Sequence, residues 1–262
     1  MIRRVFLFLL FIFFTNSLLA NKIDKNQCKS LGDEFIFSSE ECIQYKFFEG
    51  DDNEHIIIIV HGTWDEGTNT LGRYAPFAET MNLNTDLTTI TFALPGYSKS
   101  STNKLKPLAN KTEKNQAGKK EYVIFLGNLI KDLKKKFDAS KVTLIAHSAG
   151  ARMGATLMGL EPNLISNIAL VGGRYEVREE NKNSGLIAFK DVIKNANKNA
   201  KYLFIYGTED KISKPEVTTD FFPFAQKSGL NAKLIKVEGA GHIDLDMTDE
   251  SVEAITEMIE EE

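Results

Sequence analysis

Residues 142–154 constrain the fold more than any other part of the chain. An apolar run of β type ends at Ser148, and the small residues Ala149 and Gly150 follow before a helical pattern begins. The small residues indicate a turn between strand and helix that is too tight for bulky side chains. The sequence therefore predicts a strand, a tight turn that carries Ser148, and a helix whose first free N–H groups point back at the serine.

Strand and helix patterns alternate along most of the chain. The run of four isoleucines and a valine at residues 56–60 is typical of a strand buried on both faces. Together with the serine strand, further strands are predicted at residues 34–37, 42–48, 88–93, 165–171, 202–206 and 232–237. Helices are predicted around residues 74–81, 122–137, 189–196, 217–227 and 252–259. This alternation predicts an α/β fold with a mostly parallel, doubly wound sheet, preceded by an antiparallel hairpin.

The first twenty residues have the pattern of a secretory signal peptide. Arg3 and Arg4 precede ten apolar residues, and the small residue Ala20 follows at a suitable distance for cleavage. The apolar core is shorter than the roughly 20 residues of an ordinary membrane span, so an uncleaved anchor is the second interpretation. We expect an exported chain, periplasmic or secreted, with one domain over residues 21–262 and no stable membrane span after cleavage.

Composition and charge indicate how many domains the chain can form and which binding partners are not expected. Hydrophobic residues make up 42% of the 262 residues, which is enough to build the core of one large domain. The formal net charge is −4, and loss of the two signal-peptide arginines takes it to −6. An acidic chain of this kind is not expected to bind nucleic acid.

The two cysteines, Cys28 and Cys42, both lie soon after the predicted signal. An even number of cysteines in an exported chain favours a disulfide, and we expect this one to staple the N-terminal antiparallel hairpin. Closing a loop of about 15 residues stabilises a fold by about 3 kcal/mol in the chain-entropy model. Two free thiols are the alternative, and neither cysteine is assigned a catalytic role.

A serine hydroxyl becomes a useful nucleophile only when a base takes its proton. His242 follows the last predicted strand in a glycine-rich loop, which can bring an imidazole over the edge of the sheet. His55 opens a strand and is expected at the surface, while His61 begins a loop. His147 neighbours Ser148, so strand alternation sends its side chain the other way and favours a packing role. This elimination leaves His242 as the candidate base.

The candidate acid that orients this base is Asp210. It comes immediately after the penultimate predicted strand, where a loop can carry a carboxylate to the far side of His242. Glu209 is the second candidate. Asp244 and Asp246 follow the histidine too closely in sequence to be good orienting partners.

Five motifs occur in the order typical of one enzyme superfamily. They are the His61-Gly62 loop, the Pro95-Gly96-Tyr97-Ser98 turn, the turn at Ser148, Asp210 and His242. From about Phe35 to the C-terminus the chain resembles the α/β-hydrolases, in which the serine, the acid and the histidine follow in this sequence order. Ala146 replaces the first glycine of the G-x-S-x-G serine motif, and the Pro-Gly-Tyr-Ser turn is shortened relative to many members.

The resemblance also indicates where an oxyanion is stabilised. One donor is expected to be the backbone N–H of Ala149, at the start of the helix after the serine, where the helix dipole favours negative charge. The second is expected from the loop opened by His61 and Gly62, with Thr63 as first choice and Trp64 next. Trp64 is the only tryptophan; lining an acyl-binding pocket and packing in the core remain equal alternatives for its side chain.

Two polar segments interrupt the alternation. Residues 98–120 carry seven lysines and one glutamate, and residues 172–185 are polar and charged. Both follow predicted strands, so both are expected at the carboxyl edge of the sheet, where open α/β sheets bind ligands. They are interpreted either as short lids or as solvated loops. A short cap over about residues 172–200 implies an open site for a modest or extended acyl substrate.

The resemblance implies a serine hydrolase that cleaves a carboxylic ester or thioester of a small or lipid-like substrate through an acyl-enzyme on Ser148. An amide or peptide hydrolase with the same three residues is the first alternative, and a non-catalytic binding protein with the same fold is the second. The serine argues against dehalogenase chemistry, which uses an aspartate at this turn. The motifs G-x-G-x-x-G, G-x-x-x-x-G-K-[ST] and H-E-x-x-H are absent, so neither a cofactor nor a metal is predicted.

Overall fold

The computed structural model of the protein describes residues 22–261. The predicted signal peptide, residues 1–20, lies outside the described residues. Within residues 22–261 there is no helix with both the length and the apolar character that a membrane crossing needs.

One eight-stranded sheet organises the chain, as predicted. The strands are β1 (Phe35–Ser38), β2 (Glu41–Phe48), β3 (Asp52–Val60), β4 (Leu87–Phe92), β5 (Lys141–His147), β6 (Asn167–Val171), β7 (Lys201–Gly207) and β8 (Asn231–Val237). Their spatial order is β1-β2-β4-β3-β5-β6-β7-β8. β1 and β2 form the predicted antiparallel hairpin, β2 pairs antiparallel with β4, and β3 to β8 run parallel.

Helices cover both faces of this sheet. They are α1 (Lys25–Ser30), α2 (Thr70–Thr85), α3 (Lys120–Lys136), α4 (Ala149–Leu160), α5 (Phe189–Val192), α6 (Pro215–Thr219), α7 (Phe222–Lys227) and α8 (Asp249–Glu260). α3 and α4 contribute to one hydrophobic cluster, and α2 and α8 contribute to another. Strand β3 serves both clusters, since Ile56 and Ile58 face the first and Ile57 and Ile59 face the second. An unbroken apolar run is therefore what this central strand requires.

The disulfide pairs the two predicted cysteines but holds different elements from those expected. Cys28 and Cys42 are bonded, and both are buried. Cys28 lies in α1, which the sequence pattern did not indicate, and Cys42 lies in β2. The bond therefore fastens the N-terminal helix to the second strand and does not staple the two strands of the hairpin to each other.

Two predicted helices are shorter or more broken than expected. The helix predicted at residues 217–227 is two short helices, α6 and α7, and Pro223 lies in the first turn of α7, where a missing N–H is tolerated. The helix predicted at residues 189–196 is the single turn α5 followed by a 3₁₀ turn, Ile193–Asn195. Both differences fall in the segments that connect β6 to β7 and β7 to β8.

Candidate active site

Ser148 occupies a strained turn between β5 and α4. Its φ and ψ are 55° and −113°, a backbone conformation that residues other than glycine rarely adopt. The turn is held from both sides, because the Ser148 N–H donates to the carbonyl oxygen of Val171 at 2.8 Å and its own carbonyl accepts from the N–H of Arg152 at 3.1 Å. The strained backbone presents the serine side chain at the carboxyl edge of the sheet.

Close backbone approach explains the small residues around this turn. A Cβ added to Gly62 would lie 2.7 Å from the Cβ of Ser148, and one added to Gly150 would lie 2.5 Å from the carbonyl oxygen of Val60. Ala146 is fully buried and pairs in register with Val60 and Leu170 on the neighbouring strands. The alanine that replaces the motif's first glycine is therefore accommodated within the sheet.

His242 links Ser148 to Asp210 through hydrogen bonds. Its Nε2 lies 2.8 Å from Ser148 Oγ, and its Nδ1 lies 2.7 Å from Asp210 Oδ2. Because an ionised carboxylate only accepts hydrogen bonds, Nδ1 carries the proton and Nε2 accepts from the serine hydroxyl. The three predicted residues, 94 and 32 positions apart along the chain, thus form one continuous chain of hydrogen bonds.

Asp210 is fixed on both of its oxygens. It is only 2% exposed, and Oδ1 accepts the backbone N–H groups of Ile212 and Ser213, each at 2.8 Å. Gly172, with φ of +56°, passes close by, since an added Cβ would lie 3.3 Å from the His242 ring and 3.4 Å from Asp210 Oδ2. The carboxylate therefore holds a single orientation against the imidazole.

Burial lowers the pKa of His242 below its ordinary value, and nearby His147 lowers it further, while the hydrogen bond and the charge of Asp210 oppose the change. The net direction is downward. The ring is consequently neutral at pH 7 and able to accept a proton.

His147 does more than pack, which is the role that strand alternation favoured. It is buried, its Nε2 lies 2.9 Å from the backbone carbonyl oxygen of His242, and its Nδ1 lies 3.2 Å from the hydroxyl of Tyr74. The loop that carries His242 is therefore tied to β5 and α2. No local sequence signal indicates this bond, because it joins positions 95 residues apart.

His61 is a buried, neutral ring that orders the loop after β3. Its Nδ1 donates to the carbonyl oxygen of Gly62 at 2.7 Å, and its Nε2 accepts the N–H of Leu94 at 3.0 Å. Burial lowers the pKa of His61 to about 4. His55, expected at the surface, is buried, and its Nε2 bonds to Thr143 Oγ1 at 2.9 Å. Neither ring lies in the serine cavity.

The expected oxyanion donors share one cavity with the serine. A cavity of about 190 Å³ is lined by Ser148, His242, Thr63 and Ala149, and Ala149 is the first residue of α4. Trp64 is not among the residues that line it. The Trp64 ring is half-buried against the hydrophobic clusters, with the Arg73 guanidinium carbon 4.6 Å from its centroid.

The remaining walls of the cavity contain residues that sequence reasoning missed. They are Ala117, Arg152, Gly172, Arg174, Arg178, Ile212 and Ser213. Both polar segments thus reach the site, residues 98–120 through Ala117 and residues 172–185 through a glycine and two arginines. Among residues 22–261 there is no group of three His, Cys, Asp or Glu side chains arranged to hold a metal ion.

A sequence profile of the alpha/beta hydrolase fold matches residues 55–191, just over half of the chain and including the serine turn. The chain belongs to the α/β-hydrolase family. A search of curated proteins finds no significant match.

Solved structures of other α/β-hydrolase-fold proteins are similar across most of the chain. The Pyrococcus furiosus esterase Pf2001 is 14% identical with a TM-score of 0.66, over 88% of this chain and 91% of that one. Esterase PE8 is 17% identical with a TM-score of 0.62, over 84% and 98%. The Bacillus cereus carboxylesterase is 15% identical with a TM-score of 0.60, over 84% and 94%. Identities this low support the shared fold alone.

Proposed function

We propose that this α/β-hydrolase is a serine hydrolase that cleaves a carboxylic ester or thioester through an acyl-enzyme on Ser148. The observation that carries the proposal is the unbroken chain of hydrogen bonds from Ser148 Oγ through the His242 ring to the buried Asp210 carboxylate. The esterases among similar structures are consistent with this chemistry. No observation favours amide over ester substrates.

The first half of the reaction makes the acyl-enzyme. Ser148 Oγ attacks the substrate carbonyl carbon while His242 Nε2 takes the hydroxyl proton, and Asp210 stabilises the imidazolium that forms. The backbone N–H groups of Ala149 and Thr63 are proposed to bind the oxyanion, and the N-terminus of α4 adds a favourable dipole. His242 then gives its proton to the leaving alcohol or thiol as the tetrahedral intermediate collapses.

The second half releases the acyl group. A water molecule takes the place of the leaving group, His242 accepts one of its protons, and the resulting hydroxide oxygen attacks the acyl carbon. Collapse of the second intermediate returns the proton to Ser148 Oγ. The acid product leaves, and the three side chains are in their starting state.

We also propose that the protein is exported. The chain is proposed to lose residues 1–20 and to act as a single domain, residues 21–262, in the periplasm or outside the cell. The Cys28–Cys42 disulfide supports this proposal, because disulfides persist in oxidising compartments. The intact mass of the protein recovered from the periplasm or the medium would reveal whether residues 1–20 are removed.

Covalent labelling tests the nucleophile. A fluorophosphonate probe is expected to label the wild-type protein and the control Ser228→Ala, whose serine is a half-buried residue at the end of α7. Ser148→Ala is expected to remain unlabelled and to lose ester turnover by a factor of roughly 10⁴ or more. Equal labelling of wild type and Ser148→Ala would show that Ser148 is not the nucleophile.

A further inference from the structure

Three arginines line the cavity that holds Ser148 and His242. Arg152 comes from α4, four residues after the serine, and Arg174 and Arg178 come from the segment after β6. Arg174 and Arg178 also line a second, larger cavity of about 720 Å³. These two side chains therefore border both cavities, next to the serine.

Arg152 lacks the partners that a structural arginine normally has. Its Nε and Nη2 atoms are buried, and neither has a hydrogen-bond partner within the part of the chain that the structure describes. The guanidinium packs against Gly118, where an added Cβ would lie 2.4 Å from Nη2. Burying a charged donor without a partner costs free energy, and a bound anion that accepted from these donors would recover part of that cost.

The other two arginines are also poorly neutralised. Among residues 22–261, neither Arg152 nor Arg174 has a carboxylate within ion-pair distance, and Arg178 has only Glu180, at 3.8 Å and exposed. The neighbouring Asp191 accepts the N–H of Ala188 at 2.9 Å through Oδ2. Three cations thus converge on one cavity, although the chain as a whole has a net charge of −4.

The pKa of both guanidinium groups is lowered on balance, because the charge of Asp191 on Arg152 and that of Glu180 on Arg174 only partly oppose the other causes. Burial lowers the pKa of the Arg152 guanidinium, and the charges of Arg174 and Arg178 lower it further. Burial and the charge of Arg178 likewise lower the pKa of Arg174. An anion in the cavity would relieve both the desolvation and the repulsion between like charges.

We propose that the substrate carries an anionic group, a carboxylate or a phosphate, which binds Arg152 and Arg174 while its ester lies at Ser148. This inference rests on the proposed function and names its substrate class. A guanidinium matches the planar pair of oxygens of a carboxylate or phosphate, which suits selection by charge and by shape together. Arg178, at the exposed rim, adds attraction at longer range.

Matched ester pairs test the inference by turnover. Wild type is expected to hydrolyse mono-4-nitrophenyl adipate at least about tenfold better in kcat/KM than its neutral methyl ester, in line with a charged hydrogen bond. The ratio of the two values, measured in the same variant, should fall about tenfold in Arg152→Gln and in Arg174→Gln. Arg152→Lys should restore part of it, because the charge remains and the paired donors do not. The control Lys131→Gln, on α3 beside Glu161, should keep the wild-type ratio.

A second set of esters distinguishes the two anions. We would compare 3-(butyryloxy)benzoate, 3-(butyryloxy)phenyl phosphate and methyl 3-(butyryloxy)benzoate, which share the same acyl group. Preference for the phosphate over the carboxylate would assign the arginines to a phosphorylated substrate, and the reverse order would assign them to a carboxylate. If no charged ester in either set is hydrolysed better than its matched neutral ester, the proposal is overturned.

Binding without turnover separates this inference from the proposed function. Ser148→Ala is expected to bind adipate or inorganic phosphate in calorimetry, with affinity reduced at least tenfold on adding Arg152→Gln. If Ser148 labels but the charged esters show no preference and neither anion binds, the anion site is wrong and the serine hydrolase stands. If neither labelling nor hydrolysis occurs but adipate binding depends on Arg152, the anion site stands and the proposed function is wrong.

Discussion

Two regions meet at the serine cavity, and they are built differently. Ser148, His242 and Asp210 lie at or just beyond the ends of parallel strands, and hydrogen bonds fix each of them. The arginines at positions 174 and 178 lie on the irregular segment after β6, and one of them has no ion pair among the described residues. We call these the strand-end cluster and the arginine wall, the latter including Arg152.

The contrast indicates a division of labour. Bond-making chemistry needs groups held within a fraction of an ångström, and strand ends with satisfied hydrogen bonds supply that precision. Recognition of a substrate's charge tolerates looser geometry, which a loop can provide. Changes in the strand-end cluster should therefore lower turnover of every substrate, whereas changes in the arginine wall should alter which substrate is preferred.

Asp210→Asn should have the largest effect. The amide offers an N–H where the carboxylate accepts one, so the His242 ring would be held in the wrong tautomer. We expect kcat to fall by roughly 10⁴ for charged and neutral esters alike. Asp220→Asn, in the link between α6 and α7, is the matched control and should retain wild-type kcat. A loss of less than tenfold in Asp210→Asn would assign the orienting role to another acid.

The His61 ring should make stability depend on pH. Its pKa is about 4 in the folded chain and about 6.5 when exposed, so between these values only the unfolded chain binds the proton. His61 alone should therefore lower the unfolding free energy by about 3 kcal/mol as the pH drops from 7 to 4. This contribution belongs to the loop beside the strand-end cluster, and His242, whose pKa is also lowered by burial, adds a loss of the same sign.

Denaturant unfolding of His61→Gln at pH 7 and at pH 4 measures this contribution. The variant lacks the titrating ring, so its stability should change by about 3 kcal/mol less than that of wild type between the two pH values. His242, whose pKa is also lowered by burial, remains in both proteins, so its contribution cancels in the comparison. The same pH dependence in both proteins would mean that the His61 ring is protonated in the folded chain.

Gly62→Ala tests how tightly the strand-end cluster is packed. The new Cβ would lie 2.7 Å from Ser148 Cβ, so either the serine or the loop must shift. We expect a loss of about a hundredfold in kcat/KM, the scale of an ångström displacement at a reacting group. Gly241→Ala is the control, because an added Cβ there meets no atom within 4 Å. Near wild-type activity in Gly62→Ala would show that the loop moves to accommodate the methyl group without displacing Ser148.

The sheet and the strand-end cluster were more predictable than the arginine wall. The apolar run at residues 56–60 and the small residues after Ser148 have local physical causes, so the sequence pattern predicts a buried strand and a sharp turn. The approach of Arg174 to Arg152 depends instead on the path of an irregular loop, for which no periodicity exists. The hydrogen bond between His147 and the His242 carbonyl could not be predicted either, because no local sequence pattern reports a contact between distant positions. The burial of His55 against a side chain of β5 was unpredictable for the same reason.

A change of pH should have the smallest effect on turnover of the changes considered. It should act on the strand-end cluster and leave the arginine wall unaffected. Proton acceptance needs a neutral His242 ring, whose pKa is lowered mainly by burial, so kcat/KM should fall on the acid side with a midpoint below pH 6.5. Asp210→Asn should move the midpoint lower still, because Asp210 raises that pKa.

The preference for the charged adipate ester should stay constant from about pH 6 to 8, since the guanidinium groups and the substrate carboxylate remain ionised throughout. A preference that titrated together with kcat/KM would mean that His242, and not the arginine wall, recognises the anion.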